Sequence, residues 1–360
     1  MRLKHIETVC DGDVVARPIL LPNGNVLIGT GYKLDNRTIR RLKNIGIDRI
    51  YVEDSLTDDI VPEDVITDET RREAVYTVHK AMTEIFNVEA AKGRAVDREL
   101  GSNFREVFNG IINDLSNRKN VMVNLTTLHT ADGYLFHHAV NVAILAGILG
   151  MSKGYNRQQL EDLGVGALLF DVGMTQIPEQ LLNKQGPYTD EERAAMQQHA
   201  EKGFNLLRHR ADISLLSAHC ALQHHERVDG HGYPRGLKQG EIHEYAQIVA
   251  IADVYDALTS VRPHRNRIKP SEALEFLMAS GSTHFDLELV KLFVEHISIY
   301  PIATTVMLNT GQIGVVSANH PKLVHRPTVR IVREADGKEV LVPYEIDLRK
   351  ELELTIIGSL

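Results

Sequence analysis

At 360 residues the chain exceeds one ordinary small domain of roughly 150 residues, and its 43% hydrophobic and 24% charged residues are those of a folded globular protein, neither disordered nor membrane-embedded. A net charge of -8 argues against a nucleic-acid surface, DNA included, because phosphate backbones are gripped by dense Lys and Arg. The two cysteines, Cys10 and Cys220, stand far apart in no ligand-like spacing, which speaks against a disulfide framework or a thiolate zinc site and fits a reducing cytoplasm.

The stretch from Met1 to Glu7 is charged and lacks the apolar core of a signal peptide, so a cytoplasmic protein is expected. Short β-branched runs at Val14-Val15, Ile19 to Leu21 and Val26 to Ile28, separated by turn signals such as Pro22 to Asn25, predict hairpin structure. Asn36 to Ile45 predicts one short helix with Ile39 and Leu42 on one side, and Arg49 to Val52 predicts the next strand. Residues 1–60 thus read as a small α+β module, with an acidic exit through Asp58, Asp59, Glu63 and Asp64. Within 61–120, Val75, Val78, Met82 and Ile85, then Leu100, Phe104, Val107, Ile111 and Leu115, step by three and four and predict two long amphipathic helices. Their apolar faces suit packing on the following domain or pairing with a second chain to form a homodimer.

Residues 121–298 read as almost wholly helical, with boundaries at Gly150, Gly173, Gly186-Pro187, Gly230 to Pro234 and Pro263. The apolar run from Ala139 to Met151, interrupted by Asn141, falls short of the ~20 residues needed to cross a bilayer and predicts a buried helix rather than a membrane span. From Tyr300 the period falls to two, with strands at Val306 to Leu308, Ile313 to Val316 and Thr328 to Val332, so 299–360 form a short C-terminal β extension. The expected fold class is mainly α, with a small module at each end.

The helical block holds His138, Asp171, His199, His224, His225 and Asp253. A lone histidine on an apolar helix is more often a satisfied core residue than a ligand. The aspartates are harder to place that way, because Asp171 follows Gly166 to Phe170 and Asp253 follows Ile248 to Ala252, runs that ought to be buried. A buried carboxylate without a cation or several hydrogen bonds costs several kcal/mol or becomes neutral. Taken alone, Asp253 also suits a structural pairing with an arginine. Carboxylate oxygens combined with imidazoles suit manganese, iron or zinc, and a carboxylate can bridge two ions. His224 and His225 are adjacent, so on a helix their side chains diverge by ~100° and are better suited to different partners than to chelating one ion together.

A Gly-rich loop follows at once, His224-His225-Glu226-Arg227-Val228-Asp229-Gly230-His231-Gly232-Tyr233-Pro234, and then Ile248 to Asp253 and Asp256-Ala257-Leu258-Thr259-Ser260 before Arg262-Pro263. These stretches resemble the HD-GYP family, helical HD-superfamily hydrolases of the bacterial signalling nucleotide cyclic di-GMP. The resemblance implies metal ligation by His138, Asp171, His199, His224, His225 and Asp253, with Asp171 as the bridging carboxylate and central catalytic group. Members of that family hold two or three iron, manganese or similar ions, so iron or manganese is expected here, as one or two ions, and the resemblance implies substrate contacts from Tyr233, Arg262 and Arg265. Two positions depart from the family pattern. The signature His-Asp pair stands here as Phe170-Asp171, and the family's lysine three residues after that aspartate is Met174. Phe cannot ligate a metal and Met offers only a weak acceptor, so one ion is expected rather than two. Tyr134 replaces the Glu of members with a third ion. Three readings stay open: a metal-dependent cyclic di-GMP phosphodiesterase with a partly degenerate site, a module that binds cyclic di-GMP or a signalling-protein partner without turnover, and an HD-type phosphohydrolase acting on another nucleotide.

Overall fold

Apolar positions stepping by three and four between Asp68 and Val294 fold as helices, and the alternating runs before and after them fold as strands. The computed structural model describes residues 1–20, 26–47, 49–62, 64–90, 99–117, 134–182, 184–260, 268–320 and 323–359. These fall into two compact units.

One unit joins Met1–Val65 to Glu295–Leu360 in its described residues. Its amino-terminal part comprises strand β1 (Arg2–His5), the short hairpin β2 (Ile19–Leu20) and β3 (Val26–Ile28), helix α1 (Asn36–Asn44) and β4 (Arg49–Val52), which pairs antiparallel with β1. Asp35 caps α1 by accepting the Thr38 N–H, and Ile39 and Leu42 face inward as their spacing requires. The carboxyl-terminal part is a five-stranded antiparallel sheet of β5 (Thr305–Leu308), β6 (Ile313–Ala318), β7 (Thr328–Arg333), β8 (Glu339–Asp347) and β9 (Ile356–Ser359), ordered β8-β7-β6-β5-β9. The two terminal segments, read from sequence as separate modules, share one core in which Leu3, Tyr51 and Ile60 pack with Ala303, Val315 and Val332. The Leu3 N–H donates to the Ala303 carbonyl at 2.9 Å, and Arg330 of β7 pairs with Asp59.

The other unit is Ile66–Lys119 with Tyr134–Val294. Its helices are α2 (Asp68–Ala90), α3 (Leu100–Ser116), α4 (Tyr134–Ser152), α5 (Arg157–Leu169), α6 (Glu179–Leu182), α7 (Asp190–Gln197), α8 (His199–Leu207), α9 (Leu215–Gln223), α10 (Glu244–Thr259), α11 (Pro270–Ala279) and α12 (Leu287–Val294). Capping boxes at Asn156/Gln159 and Thr189/Glu192 start α5 and α7, and Pro270 opens α11. Helix α4 packs against α2, α3, α5 and α10. Its apolar stretch, Leu135–Ser152, is longer than the run that the sequence marks out and is long and apolar enough to cross a membrane by length and composition; 78% of it is buried inside the protein. The long helices α2 and α3 pack on this unit's own helices: Phe108 of α3 lies so close to Gly164 of α5 that a Cβ there would sit 2.1 Å from its ring.

Candidate metal centre

Helix α5 ends at Leu169, and the buried pair Phe170-Asp171 leads into a 3-10 turn, Val172–Gln176. His199 opens α8, and His224 and His225 follow the last turn of α9, so chain ends from three elements meet. Two glycines make this approach possible. A Cβ on Gly173 would lie 1.9 Å from the His199 carbonyl oxygen and 2.6 Å from the Gly203 nitrogen, both backbone atoms that cannot swing away. Gly173→Ala should therefore cost on the order of 3 kcal/mol and move His199 away from Asp171. The expected outcome is a lower unfolding midpoint together with weaker binding of manganese; a variant that matches the parent in both would show that the turn can shift freely.

Asp171, His199, His224 and His225 each offer one ligand atom, and these four atoms lie within 4.8 Å of one another. The Nδ1 atoms of His199 and His224 face the carbonyl oxygens of Met196 at 2.8 Å and Cys220 at 2.9 Å. A carbonyl only accepts, so each Nδ1 carries a hydrogen and donates it, and each Nε2 is left to bind. The two Nε2 atoms stand 3.3 Å apart, and 3.5 and 3.6 Å from Asp171 Oδ1. That oxygen is buried and has no hydrogen-bond partner among the described residues. Three acceptors aimed at one buried point repel one another unless a cation or a proton lies among them. Burial raises the Asp171 carboxyl, but the His224 and His199 imidazoles reverse this and hold it well below the ordinary carboxylate range. Burial lowers the His199 imidazole, and burial with the charges of His224 and His199 puts His225 well below its ordinary value. At His224 burial lowers and the Asp171 carboxylate raises, and the carboxylate prevails. The ionised carboxylate and the neutral His199 and His225 imidazoles are the forms that bind a divalent ion, His224 would give up its proton as an ion enters, and a set of one oxygen and three nitrogens fits iron, manganese or zinc.

His138 and Asp253, the other ligands that the resemblance implies, stand outside this convergence and pair with each other, His138 Nε2 lying 2.9 Å from Asp253 Oδ1. His138 Nδ1 lies 2.7 Å from Asp256 Oδ2, whose other oxygen accepts from Asn141 Nδ2 at 2.9 Å. Burial would lower His138, but the two carboxylates outweigh it and raise the imidazole to about 9. A folded-state value above the ordinary 6.5 means that His138 stabilises the metal-free protein fully below about pH 6.5 and loses that contribution as pH rises through 9. The metal-free parent should therefore lose on the order of 3 kcal/mol relative to His138→Gln between pH 6.5 and 9.5, read from urea midpoints. Parallel pH profiles for the two proteins would refute it.

Phe170 is fully buried and touches both groups, edge-on to His138 at a centroid distance of 5.6 Å and to His224 at 5.0 Å. An aromatic ring with no lone pair thus stands beside a member of each group. Met174 is half-buried on the 3-10 turn, and its N–H donates to the Asp171 carbonyl. Tyr233 stacks on His225, with centroids 4.6 Å apart. Its loop is held by the buried Glu226 carboxylate, which accepts the N–H groups of Arg235 at 2.8 Å and Leu237 at 2.9 Å. Gly232 is required there because a Cβ would sit 2.4 Å from the Arg227 nitrogen. Arg262 and Arg265 lie outside the described residues, as does the side chain of Tyr134.

Sequence reasoning missed Asp256, Asn141 and Glu226. The signals were present: Asn141 breaks an otherwise apolar run one helical turn after His138, Asp256 follows Asp253 by one turn, and Glu226 sits inside the Gly-rich motif.

Comparison with known proteins matches residues 111–289 to an HD domain and residues 305–360 to a KOW domain associated with HD domain. A cyclic di-GMP phosphodiesterase of Pseudomonas aeruginosa is 33% identical over 260 residues, covering 72% of this chain and 62% of that protein. A cyclic di-GMP phosphodiesterase of Thermotoga maritima is 38% identical over 159 residues, 44% of this chain and 43% of that one. A 3'3'-cGAMP-specific phosphodiesterase of Vibrio cholerae is 34% identical over 160 residues, 44% of this chain and 31% of that one. The chain spans less than two thirds of the length of each of these relatives.

Proposed function

The chain belongs to the HD-domain family, in its HD-GYP type, and from that premise we propose that it hydrolyses a phosphodiester bond of a cyclic dinucleotide, cyclic di-GMP first, at one divalent ion held by Asp171, His199, His224 and His225. The observation that carries this reading is the buried Asp171 Oδ1, without a hydrogen-bond partner among the described residues and with two imidazole Nε2 atoms directed at it. When bound, the ion supplies Lewis acidity toward the phosphoryl oxygens and a nucleophile at neutral pH.

The chain's own groups do the rest. Asp171 supplies the negative charge that draws a cation into a buried site, while the Met196 and Cys220 carbonyls keep the Nε2 atoms of His199 and His224 turned inward. Tyr233, fixed by the Glu226-braced loop and stacked on His225, forms an aromatic wall suited to a purine face. His138 keeps a proton on Nε2 against Asp253, a donor for the departing ribose oxygen. In the overall step water adds to phosphorus, one P–O ester bond breaks, the ribose oxygen takes a proton from His138, and the proton that water loses restores His138 through solvent. Arg262 and Arg265 suit contacts to the other phosphate.

Phe170 and Met174 favour a second reading, binding of the cyclic dinucleotide without turnover. The deciding experiment incubates the full chain anaerobically with iron(II) or manganese and with cyclic di-GMP or 3'3'-cGAMP, beside Asp171→Ala. A linear dinucleotide or GMP from the parent alone supports hydrolysis. Saturable binding without product makes the protein a binding module, and cleavage of deoxynucleoside triphosphates with indifference to both cyclic dinucleotides overturns the substrate class.

A further inference from the structure

We propose that Arg71, on a helix that precedes the matched HD domain, is a positioning residue of the site: through Asn141 and Asp256 it fixes the orientation and the Nδ1–H of His138. Its consequence for turnover rests on the hydrolytic reading above; its consequence for His138 does not.

Arg71 of α2, Asn141 and His138 of α4, and Asp256 of α10 are all buried, at 6%, 2%, 2% and 1% exposure. The guanidinium Nη1 donates to Asn141 Oδ1 at 2.9 Å, Asn141 Nδ2 donates to Asp256 Oδ1 at 2.9 Å, and Asp256 Oδ2 lies 2.7 Å from His138 Nδ1. The direction of this chain is set at its Arg71 end. A guanidinium has donors and no acceptor, so the Asn141 oxygen must face Arg71 and its NH2 must face Asp256. Asp256 Oδ1 then takes two donors, Asn141 and the Ser260 hydroxyl at 3.1 Å, which leaves Oδ2 turned to the His138 ring. A carboxylate oxygen can only accept there, so Nδ1 carries the hydrogen and Nε2 is aimed at Asp253. Were neutralising Asp256 the only requirement, a direct Arg–Asp pair would suffice; the interposed amide turns a charge into a direction. Without Arg71 the amide is free to flip, presenting oxygen to oxygen at Asp256.

The test uses the full chain as Arg71→Met, Arg71→Lys and Asn141→Asp. The last keeps a partner for Arg71 but removes the donor to Asp256. The first readout is the downfield proton resonance of the carboxylate-bound His138 Nδ1–H in the metal-free protein, identified by its absence from His138→Gln. It should vanish or broaden in Arg71→Met and Asn141→Asp and persist in Arg71→Lys, which a bracing role for α2 alone would not produce. The second readout, with manganese and cyclic di-GMP, should show kcat down about 10- to 100-fold with KM little changed, restored toward the parent by lysine. An unshifted resonance in Asn141→Asp, or in a folded Arg71→Met, overturns the proposal, and Asn141→Asp decides it should Arg71→Met fail to fold. If the parent turns over no cyclic dinucleotide, the hydrolytic reading fails while the resonance still decides the positioning role.

Discussion

Asp171→Ala should leave the protein without bound metal and with turnover down at least about 10³-fold. Asp171 supplies the sole carboxylate among the four convergent groups, and its Oδ1 is the atom toward which both Nε2 atoms point. Without it three imidazoles remain, with no negative charge to offset the desolvation of a divalent ion. Metal analysis of the purified proteins should give about one equivalent for the parent and near none for the variant. Manganese should raise the unfolding midpoint of the parent, because a ligand that binds only the folded state stabilises it, and leave the variant's unmoved. Equal metal content in the two proteins would refute the assignment of these four residues whatever the activity assay shows.

Phe170→His combined with Met174→Lys should act in the opposite direction, raising bound metal from about one equivalent toward two and turnover by ~10²–10³. Phe170 stands edge-on to both His138 and His224, so an imidazole in its place would bring a nitrogen beside both the four-ligand group and the His138–Asp253 pair. The second ion would then replace the proton that His138 shares with Asp253. Lysine at 174 supplies the cationic donor that methionine lacks. Without metal the double variant should unfold earlier by about 2 kcal/mol, the cost of a polar ring in an apolar slot. Unchanged stoichiometry and unchanged rate would show that a one-ion centre is complete as it stands.

What the sequence by itself determined is the local chemistry. The run from His224 to Pro234 is contiguous, so its two imidazoles, its required glycines and its Tyr233 could be identified from residue order. The stepping of Val75 to Leu115 likewise marked α2 and α3, because helical periodicity is a property of neighbours. The tertiary structure alone decided which of these groups meet. Asp171 and His199 come together because Gly173 lets two backbones touch, a contact between segments whose sequences do not reveal it. Arg71 reaches Asn141 across 70 positions and Asn141 reaches Asp256 across 115, and no local pattern encodes such a chain of donors. The six implied ligands fall into a convergent four and a hydrogen-bonded pair, with the buried Phe170 ring edge-on to a member of each, which the order of residues does not reveal. The terminal segments, separate in sequence and in period, share one core because each leaves an apolar face that the other covers, and burial of apolar surface is indifferent to the length of chain between the surfaces it joins.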